Sequence, residues 1–206
     1  VDAADDRGPS RRRPNLIVRI PGRSSRTVWI LGHLDVVPAG EESLWHSDPW
    51  VVTRDKDDAD LIYGRGVEDN QQAVVCGCLL AAAIKETGVT PDFGLGLILV
   101  SDEETGNAYG IQHLFRERPD FVSPDDIVLV PDSGSPDGGF IEIAEKGILW
   151  LRVDIEGCQC HASRPDDGRN ALTAAAAMIL GTKAVEEEFT TAPPSPPRST
   201  SPTFPM

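Results

Sequence analysis

A histidine and an aspartate stand two positions apart at the end of an apolar segment, in the stretch "WILGHLDVVP". They are His33 and Asp35. Further acidic residues in short polar motifs downstream are Asp69, Glu103, Glu104 and Asp132. One imidazole together with several carboxylates is a ligand set that zinc and similar divalent ions accept. Because crowded carboxylates repel one another unless cations balance them, the set predicts a metal site.

The acidic residues suit different roles in such a site. Two metal ions about 3.5–4 Å apart need a bridging ligand and can activate a shared water. Asp69, in "GRGVEDNQQ" just before a helix-forming segment, is suited to bridge. In the "EE" pair, one carboxylate can bind metal while the other takes a proton from a water within hydrogen-bond reach. Asp35 is suited to hold the far ring nitrogen of His33, which fixes the tautomer of that ring.

Each of these patterns also has a structural explanation when it is taken alone. A His-x-Asp pair is usually hydrogen-bonded and has a purely structural role, and two adjacent glutamates usually lie on a solvent-exposed face. The motifs "GRG" and "PDSG" usually form turns. The His-x-Asp, GRG, EE and PDSG motifs follow one another along the chain, each at the end of a predicted strand or the start of a predicted helix. This combination favours a functional site.

The elements that must position these residues alternate along the chain. Continuous apolar runs predict strands over 27–31 and 95–100, and an apolar segment predicts a third strand over 126–132. A segment with some alternation predicts a further strand over 148–157. Helix-forming segments cover 71–88, 107–118 and 171–189, with Asp69 or Asn70 as the cap of the first helix and Gly88 as its end. This alternation predicts an α/β fold with a mostly parallel sheet flanked by helices. In such sheets ligands bind beyond the carboxyl ends of the strands, where the candidate residues lie.

Composition narrows the range of functions. The net charge of −14 over 206 residues argues against binding to nucleic acid and to an anionic membrane surface. No run of 18 apolar residues is present, which predicts no membrane span. The four cysteines form two C-x-C pairs and fit a reducing, cytoplasmic location. Residues 1–14 are expected to be a loose polar lead-in, and 190–206, rich in proline, an irregular tail.

The motifs in combination carry a resemblance. "GHLDVVP", "YGRGVEDNQQ", "SDEETG", "PDSG", "AEKG" and "GCQCHASRP" resemble the aminoacylase, glutamate carboxypeptidase and succinyl-diaminopimelate desuccinylase family of dizinc amidohydrolases and peptidases. Within the family, "LWHSDPW", "GVEDNQQ" and "QCHASRPD" resemble the desuccinylase-like metallohydrolases in particular. The resemblance implies a zinc-exopeptidase-like catalytic domain over 1–147, the beginning of a smaller α+β lid domain over 148–189, and the tail over 190–206.

The resemblance also implies a set of metal ligands. His33 and Asp132 correspond to ligands of one metal ion, Asp69 to the carboxylate that bridges two ions, and Glu104 to a ligand of the other ion. The implied cofactors are two divalent metal ions, with zinc expected and cobalt or manganese as alternatives.

Three further residues correspond to catalytic or supporting positions. Glu103 resembles the general acid/base, and Asp35 resembles the carboxylate that supports His33. His161, in "CHAS", resembles a lid-domain histidine that contacts the carbonyl oxygen of the substrate. As a hydrogen-bond donor it would stabilise an oxyanion. In dimeric members this histidine reaches the partner's site, which leaves a homodimer open for the full-length protein.

The implied function is metal-dependent hydrolysis of an amide bond in an N-acyl amino acid or a small peptide. Two alternatives stay open: an aminopeptidase or dipeptidase of the same family, and a catalytically incomplete module that only binds metal or a partner. No histidine follows His161, whereas family members supply a last histidine ligand near their C-terminus. The chain is therefore expected to be an N-terminal fragment. The "DNQQ" stretch also departs from the D-x-K-G pattern of many relatives.

Overall fold

A computed structural model describes residues 1–6, 10–135, 137–144, 147 and 149–191. The chain divides into two compact units, Val1–Glu145 and Lys146–Met206. The assignment of these units to a catalytic domain and a lid domain stays a prediction.

The first unit contains eight strands and two α-helices within its described residues. The strands are β1 (Asp2–Ala4), β2 (Arg12–Pro14), β3 (Leu16–Ile20), β4 (Thr27–His33), β5 (Thr53–Arg54), β6 (Ile62–Tyr63), β7 (Gly94–Val100) and β8 (Ile127–Leu129). The helices are α1 (Gln72–Thr87) and α2 (Ile111–Glu117). A 3-10 turn covers Glu42–Leu44, and a kinked turn covers Val67–Gln71.

Four of these strands form the central sheet, in the order β3-β7-β4-β8. β4 pairs in parallel with both β7 and β8, whereas β3 pairs with β7 in the antiparallel sense. All seven residues of β7 are buried. A strand that is covered on both faces has no solvent side, so its sequence is continuously apolar and does not alternate. The predicted α/β fold with a mostly parallel sheet is confirmed.

The core lies on both faces of β7. On one face Trp29, Ile98 and Val100 pack with Leu114 of α2. On the other, Leu95, Leu97 and Leu99 contact residues of α1. Gly96 allows this arrangement, because a Cβ at that position would overlap the Trp29 ring. The two helices therefore hold opposite faces of the sheet and fix the strands whose ends carry the candidate residues.

The first predicted helix is correct at its end and different at its start. Gly88 has a φ of 67° and donates its N–H to the carbonyl of Ile84, as expected of a left-handed C-cap. The predicted caps Asp69 and Asn70 do not cap α1, which begins at Gln72. Both residues have non-helical backbone angles, and the peptide between them is cis. Their side chains make other contacts, which are described below.

Three other expectations for the first unit are wrong in part. The lead-in 1–14 is not loose, because β1 and β2 pair with each other. The second helix begins at Ile111 and not at 107, because Asp102 accepts the backbone N–H groups of Asn107 and Tyr109 and holds that stretch in a turn. The strand predicted over 126–132 covers only Ile127–Leu129.

The second unit contains α3 (Ala171–Thr191), a 3-10 turn at Pro165–Asp167 and one isolated bridge between Cys158 and Arg169. The strand predicted over 148–157 is not present among the described residues 149–157. Leu149 and Trp150 are mostly exposed, and without a neighbouring strand an apolar run has no partner for its backbone groups.

The predicted helix over 171–189 is confirmed as α3, which extends two residues further and so makes the first two residues of the predicted irregular tail helical. The rest of that tail, 192–206, lies outside the described residues. Across the part of the chain that the structure describes, none of the helices combines the length and the apolar character needed to span a lipid bilayer.

Candidate metal centre

The candidate residues of the first unit gather at one edge of the central sheet. His33 is the last residue of β4, and Glu103 and Glu104 follow the end of β7. Asp132 follows β8, and Asp69 lies in the kinked turn that precedes α1. Because β4, β7 and β8 are parallel, their carboxyl ends meet at this edge.

His33 lies at the centre of the group. Its side chain is buried, and its Nε2 lies 2.9 Å from Asp69 Oδ1 and 3.5 Å from Asp132 Oδ1. One ligand atom from each of these three residues lies within 4.8 Å of the others. The structure thus brings together three of the four predicted metal ligands. Among the described residues, Glu104 does not join this group.

The hydrogen bonds of His33 indicate that a cation belongs between its ring and the two carboxylates. Its Nδ1 lies 2.8 Å from the carbonyl oxygen of Asp35, which can only accept, so Nδ1 carries a hydrogen. In the neutral imidazole, Nε2 then presents a lone pair to two carboxylates. This arrangement is favourable only when a cation, either a proton or a metal ion, lies between the ring and the carboxylates. One imidazole and two carboxylates are three ligands of the kind that catalytic zinc uses, so the donor set fits a divalent metal.

The charges around His33 act in the same direction. Burial by itself lowers the pKa of His33, but the hydrogen bond to the Asp35 carbonyl and the charges of Asp132, Glu103 and Asp35 outweigh it. The pKa of His33 is therefore raised above its ordinary value. In other words, the site as folded stabilises positive charge at the ring.

Asp35 supports the site in a different way from the one expected. Its carbonyl, and not its carboxylate, makes the close contact with His33; the carboxylate Oδ1 lies 3.8 Å from Nδ1. The two carboxylate oxygens accept the backbone N–H groups of Glu103, at 3.1 Å, and Glu104, at 3.2 Å. Because both oxygens are engaged by these donors, Asp35 connects the end of β4 to the pair of glutamates after β7.

The two glutamates lie in different surroundings. Burial raises the pKa of Glu103, the charge of His33 opposes the shift, and the nearby carboxylates of Asp132, Glu104 and Asp35 add to it. Glu104 Oε1 accepts the backbone N–H of Val37 at 3.2 Å. Glu103 thus lies near the charges of His33 and Asp132, two members of the group, while Glu104 is engaged with the loop after β4.

A cleft of about 920 Å³ opens beside the group. His33, Glu103 and Asp132 contribute its polar wall, while Ile111 and Phe140 are among its apolar lining residues. A concave, largely apolar cavity with a few convergent polar groups is the usual form of a small-molecule site.

Sequence reasoning missed Asn70. This residue is fully buried; its Oδ1 accepts the backbone N–H of His33 at 3.1 Å, and its Nδ2 donates to the carbonyl of Pro131 at 2.8 Å. One amide, next to Asp69 in the chain, thus links His33 to the residue that precedes Asp132. The departure of "DNQQ" from the D-x-K-G pattern was the signal available in the sequence.

The last predicted site residue, His161, belongs to the second unit. Its side chain is exposed, and its Nδ1 accepts the backbone N–H of Ser163 at 3.2 Å. A neutral ring whose Nδ1 accepts carries its hydrogen on Nε2, which leaves Nε2–H free to act as a donor.

Comparisons with known proteins agree with the motifs. An uncharacterized metallohydrolase of Methanocaldococcus jannaschii is 45% identical over 162 residues, which are 77% of this chain and 38% of that protein. A succinyl-diaminopimelate desuccinylase of Rickettsia canadensis is 31% identical over 156 residues, which are 74% of this chain and 40% of that protein. The chain thus spans about two fifths of the length of these relatives.

The fold and the family model agree as well. The yeast dipeptidase Dug1p matches 65% of this chain with a TM-score of 0.52 at 23% identity, and the match covers 29% of that protein, so it shares the fold. The model of peptidase family M20/M25/M40 matches residues 29–202, which include every candidate residue named above. The resemblance inferred from the motifs is confirmed, and the chain belongs to peptidase family M20/M25/M40.

Proposed function

We propose that the chain forms the metal-binding part of a hydrolase that cleaves the amide bond of an N-acyl amino acid or a small peptide. The observation that carries this proposal is the lone pair of His33 Nε2, which faces the carboxylates of Asp69 and Asp132 beside Glu103. The desuccinylase relative, whose name describes removal of a succinyl group, supports an acylated substrate.

His33, Asp69 and Asp132 would hold a divalent ion, and we propose zinc, with cobalt or manganese as alternatives. Asp69 and Glu104 would contribute to holding a second divalent ion. A bound divalent ion would supply a Lewis acid that polarises the scissile carbonyl and lowers the pKa of a water molecule.

The residues of the chain would carry out the proton transfers. Glu103 takes the proton from the attacking water and then delivers it to the leaving amine. Asp35 is a positioning residue, because its carboxylate holds the backbone of Glu103 and Glu104 while its carbonyl orients His33. His161 is proposed to donate its Nε2–H to the oxygen of the substrate carbonyl.

The experiment compares metal content and turnover in the purified protein and its Glu103→Gln variant. We expect both proteins to bind divalent metal, and the variant to lose turnover of N-acyl amino acids by roughly 10²–10⁴-fold because it lacks the acid/base. A variant with wild-type turnover would overturn the role of Glu103. Protein that is folded but takes up no divalent metal would overturn the proposed function itself.

A further inference from the structure

The carbonyl of Pro131 receives two side-chain amides. Asn70 Nδ2 donates to it at 2.8 Å, and Gln72 Nε2 donates to it at 2.5 Å. Pro131 immediately precedes Asp132, one of the three residues of the metal-ligand group. Gln72 lies in the first turn of α1, so the helix that follows Asp69 reaches across to the segment that carries Asp132.

The geometry on the Pro131 side makes this contact relevant to Asp132. The backbone N–H of Asp132 donates to the carbonyl of Val130 at 2.9 Å, which closes a tight turn around Pro131. The peptide bond from Pro131 to Asp132 is planar, so the Pro131 carbonyl and the backbone of Asp132 move together. The fixed φ of proline leaves little other freedom in this turn. A donor that holds this carbonyl therefore also restrains where the Asp132 carboxylate lies relative to His33.

On the other side, one of the two amides, that of Asn70, also contacts His33. Asn70 Oδ1 accepts the backbone N–H of His33 at 3.1 Å. Gly32 leaves room for this amide, because a Cβ there would lie 2.9 Å from Asn70 Oδ1. The amide of Asn70 spans from β4 to the segment after β8, and Gln72 adds a second donor at the far end.

Side-chain contacts matter here because few other contacts hold Asp132 among the described residues. β8 is three residues long, and it pairs in the described part of the chain only with β4. The residues of β8 are exposed, and Asp132 itself lies beyond the end of the strand. The Asp132 side chain is 34% exposed, against 3% for His33.

We propose that Gln72, together with Asn70, is a positioning residue of the metal centre. This inference rests on the proposed function. The two amides hold the Pro131 carbonyl so that the Asp132 carboxylate stays within ligand distance of His33. Gln72 is the better residue to test because it is only partly buried, whereas Asn70 is fully buried and its loss would also disturb folding.

The test replaces Gln72 with methionine, which has a similar size and helix propensity but no N–H donor. The matched control is Gln112→Met, because Gln112 also donates its side-chain amide to a backbone carbonyl, that of Gly106, and is exposed. The metal-free chains are titrated with Co²⁺, whose visible absorption reports the geometry of the ligands. The melting temperature of each metal-free chain is measured in parallel.

We expect Gln72→Met to bind Co²⁺ roughly 10–100-fold more weakly and to show an altered absorption spectrum, the effect usual for residues that orient metal ligands. Its metal-free melting temperature and the Gln112→Met control stay close to wild type. Equal Co²⁺ affinity and an unchanged spectrum would overturn the role of Gln72. A large loss of metal-free stability in the variant would overturn it too, since Gln72 would then be a general structural residue.

These readouts separate this inference from the proposed function. Wild-type chain that binds Co²⁺ and responds to Gln72→Met, in a protein that hydrolyses no amide, would overturn the proposed hydrolysis and support the positioning role. Folded wild-type chain that binds no Co²⁺ would overturn both.

Discussion

His33 and Asp132, two residues of the metal-ligand group, are held in place by different kinds of contact. His33 ends β4, a seven-residue strand with β7 on one side and β8 on the other. Asp132 follows the exposed edge strand β8, which is three residues long. His33 is therefore placed by the hydrophobic core, whereas Asp132 is placed by hydrogen bonds to its neighbouring backbone. The proposed metal centre would thus combine one ligand that the core holds with one that depends on a few polar contacts.

The first prediction concerns the core that places His33. Leu97→Ala removes a buried side chain from the centre of β7, where it packs with partly buried residues of β4 and α1. We expect a loss of about 2–5 kcal/mol in the free energy of unfolding, because the cavity cannot be filled by its neighbours. Urea denaturation measures the change. A loss below about 1 kcal/mol would contradict the view that β7 is the packed centre of the sheet.

The second prediction compares two buried asparagines, one at the centre and one away from it. Asn15 Nδ2 donates to the carbonyl of Tyr109 at 2.9 Å, and its Oδ1 accepts the N–H of Ser101 at 3.0 Å, so it resembles Asn70 in its contacts. We expect Asn15→Ala and Asn70→Ala each to cost roughly 1–3 kcal/mol, because buried backbone groups lose their partners. Denaturation and metal titration are measured on both variants.

Only Asn70→Ala is expected to weaken metal binding, since Asn15 contacts none of the three ligand residues in the described contacts. Equal effects of the two variants on metal affinity would show that metal binding depends on overall stability alone. In that case residues that place the core and residues that place the proposed ligands would not differ in their effect on metal binding.

The third prediction uses the residue that fastens β4 to the segment before β8. Asp126 accepts hydrogen bonds from Trp29 Nε1, from the N–H of Thr27 and from the N–H of Ser123. Partial burial raises the pKa of Asp126, but these bonds and the charge of Arg19 outweigh it, so the pKa lies below its usual value. We expect Asp126→Asn to lose about 1–3 kcal/mol at neutral pH, because hydrogen bonds to a charged group are strengthened by the charge.

The pH dependence of that loss follows from the sign of the shift. A carboxylate with a lowered pKa in the folded state stabilises the fold above its unfolded pKa of about 3.9, and this contribution disappears as the pH falls through the folded value. The stability difference between wild type and Asp126→Asn should therefore be constant near pH 7 and shrink below about pH 4. A difference that does not change with pH would contradict the charged role of Asp126.

The sequence predicted the strands that are covered on both faces of the sheet, as in 27–31 and 95–100. A short continuous apolar run is typical of such a buried strand. The sequence also predicted that candidate residues lie at the carboxyl-terminal ends of the parallel strands. It did not predict that the carbonyl of Asp35, and not its carboxylate, holds His33, because that choice depends on where the backbone of Glu103 and Glu104 lies. Backbone contacts of this sort leave no pattern in residue types.

The role of Asn70 was hidden for a related reason. In the sequence it is one polar residue in "DNQQ", which is compatible with a helix cap. Its side chain contacts Pro131, 61 positions away, and local propensity contains no information about such a partner. The start of α1 was displaced for the same reason, because the amide that could have capped the helix is used to join two strand ends.

The smallest expected effect concerns the strand that the sequence predicts over 148–157 and that the described structure lacks. Leu149→Ala makes the same change as Leu97→Ala, but in the segment that was predicted to be a strand and is exposed in the described structure of the second unit. We expect the free energy of unfolding to change by no more than about 0.5 kcal/mol, as for other exposed substitutions. The pair of variants then measures how much burial contributes to an apolar residue of identical type. A loss comparable to that of Leu97→Ala would mean that Leu149 is packed in solution, and that the apolar run 148–157 finds the neighbouring strand that its composition predicts.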